Sequence, residues 1–266
     1  MKIIVCVKQV PDTSGKVAVN PDGTLDRASM QPITNPDDLN AVEAALKLKD
    51  ETGCEVVVVT MGPPPAEGML REILARGADK AVQVSGREFG GSETYATSQL
   101  LAAAINRIGV EKGDIVMCGR QAIDGDTAQV GPQIAEKLGL PQISYAAEIK
   151  KDGDTITVQR MLEDGYMTIK VQTPCLVTCI KELNEPRYMS VGGIFEAYSK
   201  PMEVFDYNAL KDDPLIDATT IGLKGSPTNI LTSFTPPQKG AGMMLEGDGK
   251  ETCEQLAAIQ AKKHII

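Results

Sequence analysis

The sequence predicts a doubly wound α/β domain with a mostly parallel sheet, extended by antiparallel strands and by a C-terminal arm. Up to residue 140, short apolar runs typical of strands covered on both faces alternate with segments of helical period. Beyond residue 140, turn residues such as those at 151–154 and 163–165 separate the runs, which indicates antiparallel hairpins. Frequent Pro, Gly and Asp after residue 180 indicate the arm.

The first half of the chain supplies the predicted parallel strands and their helices. Residues 1–7 form a continuous apolar run, and residues 9–34 that follow are rich in Pro, Asp, Gly and Ser. Asn35 suits an N-cap, Pro36 suits the first helical position, and Gly53 ends this helix. β-branched runs and apolar residues at helical spacing then predict a strand at Glu55–Met61, a helix at 66–75, a strand at Lys80–Val84, a helix at Thr94–Ile108, a strand at 114–118 and a helix that ends at Leu138.

The second half supplies the predicted hairpins and the arm. Its strands are predicted at 142–149, 155–160, Tyr166–Gln172 and Cys175–Cys179. A helix is predicted at about 251–261, after a Gly-rich stretch. An arm of this length would be disordered unless it packed on something, and its scattered apolar residues indicate that it lies on a surface, which another subunit could provide.

Composition excludes several classes of function. There are 27 Lys and Arg against 36 Asp and Glu, a net charge of −9, and no cluster of cations with aromatics, so nucleic acid is not an expected partner. Without an apolar run of roughly 20 residues or a signal-peptide pattern, we expect a cytoplasmic protein with no membrane insertion. Because His264 is the only histidine, Ser-His-Asp and Cys-His catalysis lack residues. Cys175 and Cys179 are four apart within a predicted strand and the histidine lies in the tail, so a zinc or iron–sulfur site would lack ligands. We expect mostly buried free thiols at Cys6, Cys54, Cys118, Cys175, Cys179 and Cys253.

One strand-to-helix loop, GRQAIDGDTAQVGP at residues 119–132, is predicted to bind a ligand. It lies at the carboxyl edge of the predicted sheet, where open α/β sheets bind ligands at a topological switch point. Gly125 allows close approach of the backbone, Thr127 offers a hydroxyl, and free helix-start amides suit a pyrophosphate. Because Asp124 and Asp126 would repel phosphates, we expect Asp126 to be the N-cap of a helix that begins at Thr127. An acidic capped turn without a ligand stays an open alternative.

Several segments appear in the order and spacing found in electron-transfer flavoprotein β subunits. They are VKQVPD at 7–12, NPDD at 35–38, VTMGPP at 59–64, RGADKA at 76–81, GRQAIDGDTAQVGP at 119–132 and LNEPRY at 183–188. The chain therefore resembles this family over essentially its whole length. The resemblance implies that the chain forms a heterodimer with an α subunit. It also implies three parts of this chain: a Rossmann-like nucleotide- or FAD-binding domain at 1–180, a recognition arm at 181–237, and a tail and helix at 238–266 that contact the α subunit. Within the arm, residues 181–199 would dock the dehydrogenase.

The resemblance also implies which segments cradle the adenine cofactor: the end of the first strand, the 35–38 turn, the Met61 turn and the 122–131 loop. Thr94 and Thr97 open a helix and could donate to a phosphate, although ordinary capping also explains them. The predicted cofactor-binding residues are Cys6, Val7, Asn35, Asp38, Met61, Thr94, Thr97, Gly119, Ala122, Ile123, Asp124, Gly125, Asp126, Thr127, Ala128, Gln129, Val130 and Gly131. No catalytic acid, base or metal ligand is assigned.

Gly125 distinguishes two subtypes of the family. Simple carriers bind AMP and have a bulkier, acidic loop, whereas IDGDTAQVG resembles electron-bifurcating members that bind a second FAD. That subtype implies that the FAD accepts a hydride from NADH, then sends one electron to a ferredoxin or flavodoxin and the other through the α-subunit FAD to an acyl-CoA-type dehydrogenase. NADH oxidation would need the heterodimer or a larger complex. The alternatives are a non-bifurcating subunit that binds AMP and a non-redox adenine-nucleotide-binding regulatory module.

Overall fold

The computed structural model describes residues 1–12, 31–228 and 240–266. These fall into two compact units, residues 1–12 and 31–228 in one and residues 240–266 in the other. Parts of the predicted irregular segment 9–34 and of the predicted arm 181–237 lie outside the described residues.

The described strands follow the predicted alternation closely. They are β1 Lys2–Cys6, β2 Gln9–Pro11, β3 Pro32–Thr34, β4 Glu55–Met61, β5 Lys80–Val84, β6 Ile115–Gly119, β7 Gln142–Asp152, β8 Thr155–Met161, β9 Tyr166–Gln172, β10 Cys175–Cys179 and β11 Met202–Phe205. The described α-helices are α1 Pro36–Thr52, α2 Glu67–Arg76, α3 Thr94–Ile108, α4 Val130–Leu138, α5 Val191–Glu196, α6 Tyr207–Leu210 and α7 Gly249–Lys262. Short 3₁₀ turns occur at Pro64–Ala66, Arg87–Phe89 and Lys181–Leu183.

Nine of the described strands form one sheet in the order β11-β5-β4-β1-β6-β10-β7-β8-β9. Pairing is parallel from β11 to β7 and antiparallel from β7 to β9, which confirms the predicted fold class. The chain builds outward from β1 through β4 to β5 and then returns to place β6 on the other side of β1. This reversal puts a topological switch point between the carboxyl ends of β1 and β6.

Helices cover both faces of the sheet because successive side chains of a strand point to opposite sides. Ile3 and Val5 pack in a core with α1 and α2, whereas Ile4 and Cys6 pack in a second core with α3 and α4. Gly53 ends α1 in a left-handed conformation with φ 70°, as its sequence position predicts.

The predicted antiparallel pairing of Cys175–Cys179 is wrong. β10 is buried along its whole length and lies parallel to both β6 and β7. The first part of β7 pairs with β10, and only the part from Ala146 onward pairs with β8 in a hairpin. β11 lies within the segment predicted as an arm, and it pairs with β5 at the edge of the sheet.

Five cysteines are buried free thiols, as predicted, but Cys253 is exposed. It lies on α7, which has no buried residue within its unit. Asp248 caps α7, its carboxylate accepting hydrogen bonds from the amides of Lys250 and Glu251. Among the helices that the structure describes, none is long and apolar enough to span a bilayer.

Candidate functional site

Asp38 joins the two strands at the switch point. Its Oδ2 accepts a hydrogen bond from the amide of Lys8 at 2.8 Å, just after β1, and its Oδ1 accepts one from the amide of Gly119 at 2.8 Å, the last residue of β6. A Cβ on Gly119 would lie 2.5 Å from Asp38 Oδ1 and 2.6 Å from the backbone of Asp37, so only glycine fits. Burial raises the pKa of Asp38 to about 7, against the opposing effect of the two amides.

Asn35 fastens the loop that follows β6. It occupies the predicted N-cap position of α1, but its side chain makes no capping hydrogen bond. Instead, its Nδ2 donates to Gln121 O at 2.8 Å and its Oδ1 accepts from the amide of Ile123 at 3.1 Å. The first turn of α1 therefore holds residues 119–123 in place.

The prediction that Asp126 caps a helix starting at Thr127 is wrong. Helix α4 begins at Val130, with Gln129 as its N-cap, while Asp126 has a left-handed backbone with φ 52° and accepts a hydrogen bond from Gln121 Nε2 at 2.8 Å. Pro132 explains why α4 starts at Val130 rather than at Thr127, because proline is tolerated in the first turn of a helix but not in its interior.

The amides of residues 127–131 lie at the start of α4. They donate to no acceptor in the part of the chain that the structure describes, and no side chain caps α4. Ala128 is left-handed with φ 52° and Gln129 is right-handed, an alternation that turns successive N–H groups toward one point. With the helix dipole, this arrangement suits an anion.

The repulsive carboxylate of Asp124 is neutralised by an ion pair. Lys8 Nζ lies 2.7 and 2.9 Å from the two oxygens of Asp124, whose side chain is only 4% exposed. The sequence analysis did not select Lys8. Its position two residues after the end of β1, at the carboxyl edge of the sheet, could have indicated that Lys8 belongs to the site.

The start of α3 is already occupied by a carboxylate of the protein. Glu93 Oε1 accepts hydrogen bonds from the amides of Tyr95 at 2.8 Å and Ala96 at 3.4 Å. Thr94 Oγ1 lies 3.1 Å from both Glu93 Oε2 and Gln129 Oε1, so Thr94 contacts the loop. The hydroxyl of Thr97 donates to Ser92 O at 3.5 Å within its own turn.

Comparison with known proteins identifies the family. Residues 22–210 match the model of the electron transfer flavoprotein domain. This chain belongs to the electron transfer flavoprotein family. It is 67% identical over 267 residues to the acryloyl-CoA reductase electron transfer subunit gamma of Anaerotignum propionicum, with 100% of both chains covered. It is 51% identical over 269 residues to the caffeyl-CoA reductase-Etf complex subunit CarD of Acetobacterium woodii and 49% over 267 residues to the electron transfer flavoprotein subunit beta of Clostridium acetobutylicum, again with 100% of each chain covered.

In this electron transfer flavoprotein, the remaining predicted site residues surround the same edge. Cys6 ends β1 and Val7 follows it, both in buried positions, and Met61 ends β4 partly buried. A Cβ on Gly131 would lie 2.7 Å from Cys118 Sγ, so this glycine lets α4 pack closely on β6. Residues 125–127 and 129 are exposed, and Ala122, Ile123 and Ala128 are partly exposed, so the loop presents an open surface.

Arg120 is a second residue that the sequence analysis did not select. Its Nε lies 3.4 Å from Asp37 Oδ2, without hydrogen-bond geometry, and its guanidinium lies 5.9 Å from the ring centroid of Tyr145. Burial raises the pKa of Asp37, and Arg120 opposes that shift. Tyr145 has φ 60°, an unusual conformation for a bulky residue. These three side chains lie next to the loop, on the side of β10 and β7.

A surface cavity of about 430 Å³ lies elsewhere, at the amino ends of β1, β4 and β5. The lysines that line it are paired, Lys80 with Glu203 and Lys2 with Asp114. Because ligands of open α/β sheets bind at the carboxyl edge, the loop rather than this cavity is the candidate functional site.

Proposed function

We propose that this electron transfer flavoprotein is the β-type subunit of a heterodimer and that residues 120–131 grip the diphosphate of an adenine cofactor. The amides at 127–131, which donate to no described residue, support this proposal most directly. The ion pair of Asp124 with Lys8 lowers the repulsion that a phosphate would meet, and Thr127 is exposed beside the amides. The other predicted residues at the strand ends would then contact the adenosine.

We propose that the cofactor is FAD rather than AMP. A Cβ at Gly125 would meet no atom within 4 Å, and the absence of a side chain there leaves this point of the loop open to a ligand, as the sequence comparison of the two subtypes requires for FAD. The chemistry that a bound FAD supplies is acceptance of a hydride from NADH and delivery of one electron to a ferredoxin or flavodoxin and one, through the α-subunit FAD, to an acyl-CoA-type dehydrogenase. The protein's own residues place and orient the cofactor.

We further propose that residues 181–199, called the recognition segment below, dock the dehydrogenase. Tyr188, Val191, Phe195 and Tyr198 are 93%, 74%, 78% and 75% exposed, a concentration of apolar side chains that marks an interaction site. Two close relatives are named as subunits of an acryloyl-CoA reductase and a caffeyl-CoA reductase complex, which supports an acyl-CoA-type partner.

The second unit is proposed to bind the α subunit. Helix α7 buries no residue within its unit, and the exposed apolar side chains there need a covering surface. They are Met243, Met244, Leu256, Ile265 and Ile266. We place the working complex in the cytoplasm.

Cofactor analysis of the co-purified heterodimer tests these proposals. Two FAD per heterodimer support bifurcation, whereas one FAD with one AMP supports a simple carrier. Absence of flavin and adenine nucleotide after co-expression with an α subunit would refute the redox function. One FAD without AMP would refute the assignment of a cofactor to the loop.

A further inference from the structure

Arg187 fastens the recognition segment to α1. Its Nε and Nη2 donate to the two carboxylate oxygens of Glu43 at 2.9 and 3.0 Å, and its amide donates to Glu43 Oε2 at 3.0 Å. Nη2 also donates to Asp50 Oδ2 at 2.7 Å. The Glu43 side chain is 5% exposed and that of Arg187 is 32% exposed, so the bidentate pair is largely shielded from water.

Backbone contacts fix the rest of the segment. Asn184 and Asn40 exchange hydrogen bonds between side-chain amide and main-chain carbonyl at 2.7 and 3.0 Å. A Cβ on Gly193 would lie 2.2 Å from Ala75 O, so α5 lies directly against the end of α2. Just after the segment, Lys200 Nζ donates to two carbonyls at the end of α2, at 2.9 and 2.8 Å.

The apolar side chains of the segment, in contrast, point into solvent. Tyr188 follows Arg187 directly, and Val191 and Phe195 are four residues apart on one face of α5. Tyr198 follows α5, and its exposed ring lies 5.6 Å from the guanidinium of Arg71. The segment therefore combines a fixed backbone with an exposed patch. Such preorganisation lowers the ordering cost of docking.

We propose that Arg187 is a positioning residue for partner docking. Through Glu43 it locks the exposed patch to α1, whose first turn holds the cofactor loop through Asn35 and Asp38. One helix thereby sets the placement of the docked partner relative to the cofactor. This inference rests on the proposed docking role of the recognition segment.

The test uses the purified heterodimer and acryloyl-CoA reductase as the electron acceptor. Arg187→Lys keeps the charge but loses the two-pronged contact, because a lysine ammonium cannot match both carboxylate oxygens. We expect the half-saturating reductase concentration to rise about tenfold while the flavin content stays constant. Arg107→Lys, a matched change remote from the segment, should leave both quantities unaltered, and Glu43→Gln tests the same contact if Arg187→Lys does not fold.

A double variant separates positioning from a direct contact. If Arg187 acts through the patch, Phe195→Ala combined with Arg187→Lys should weaken docking no more than Phe195→Ala alone. Additive losses, or an unchanged half-saturating concentration in Arg187→Lys and Glu43→Gln, would overturn the positioning role. If Phe195→Ala alone leaves docking unchanged, the proposed docking surface itself is wrong.

Discussion

Replacing Asp38 by Asn tests the junction between β1 and β6. The carboxylate accepts one amide hydrogen bond on each oxygen, from Lys8 and Gly119, whereas an asparagine offers a single oxygen and turns its NH₂ toward the other amide. A buried amide left without an acceptor costs about 1–3 kcal/mol. We therefore expect Asp38→Asn to lower the free energy of unfolding by about that amount at pH 4.5, where a protonated Asp38 still offers an acceptor on each oxygen.

The same substitution should change how stability depends on pH. Because burial raises the pKa of Asp38 from its ordinary 3.8 to about 7, the folded protein keeps a proton that the unfolded chain releases between these values. This group's contribution to stability is therefore fully present below about pH 4 and is lost as pH rises toward 7, by about 1.4 kcal/mol per pH unit. Asp38→Asn should lack this contribution.

Urea unfolding of both proteins at several values between pH 4.5 and 8 measures the two effects. We expect the stability difference between wild type and variant to grow smaller as pH rises from 5 to 7 and then to level off. A difference that stays constant over this range would refute the raised pKa. A variant as stable as wild type at pH 4.5 would refute the bridging role of the Asp38 side chain.

Three further changes test the loop and the thiols. Gly125→Leu should change the free energy of unfolding by less than about 0.5 kcal/mol, since the new side chain enters open space. It should nevertheless lower the amount of the second FAD bound per heterodimer, and an unchanged FAD content would argue against the proposed site. Gly131→Ala should cost about 1–3 kcal/mol in urea unfolding, because its Cβ would lie 2.7 Å from Cys118 Sγ; a neutral effect contradicts this packing. Iodoacetamide at pH 8 should label only Cys253 in the native protein, as measured by mass spectrometry, because the other thiols are buried. Burial also raises the pKa of Cys6 to about 12, and labelling of Cys6 would contradict its burial.

The sheet and the position of the loop could be predicted because they follow from local patterns. The run at Glu55–Met61 and the periodicity of Thr94–Ile108 are each sufficient to specify an element, and the structure gives these elements the same bounds. The pairing direction of Cys175–Cys179 could not be predicted from its neighbours. It depends on the long-range placement of β10 between β6 and β7, which no turn near the strand encodes.

The inner contacts of the loop were also beyond the sequence patterns. Asn35 and Asp38 look like helix-start residues, and their helix does start there, yet their side chains bind backbone groups about 80 residues away. The left-handed conformations of Asp126 and Ala128 carry no glycine to mark them. Such conformations occur where the surrounding structure holds them in place, as Asn35 and Gln121 do here.

The two helix starts near the loop differ in whether a carboxylate of the protein already accepts hydrogen bonds from their amides. At α3 the Glu93 carboxylate already accepts two amide hydrogen bonds, so a phosphate there would have to displace an anion of the protein. At α4 the amides have no such partner among the described residues, and Thr94 reaches across to Gln129. Thr94 and Thr97 were predicted as possible phosphate donors on the α3 side. Thr94 Oγ1 contacts Gln129 in the loop, and both threonines stay predictions as phosphate donors, whereas the start of α4 is the position that we propose for the diphosphate.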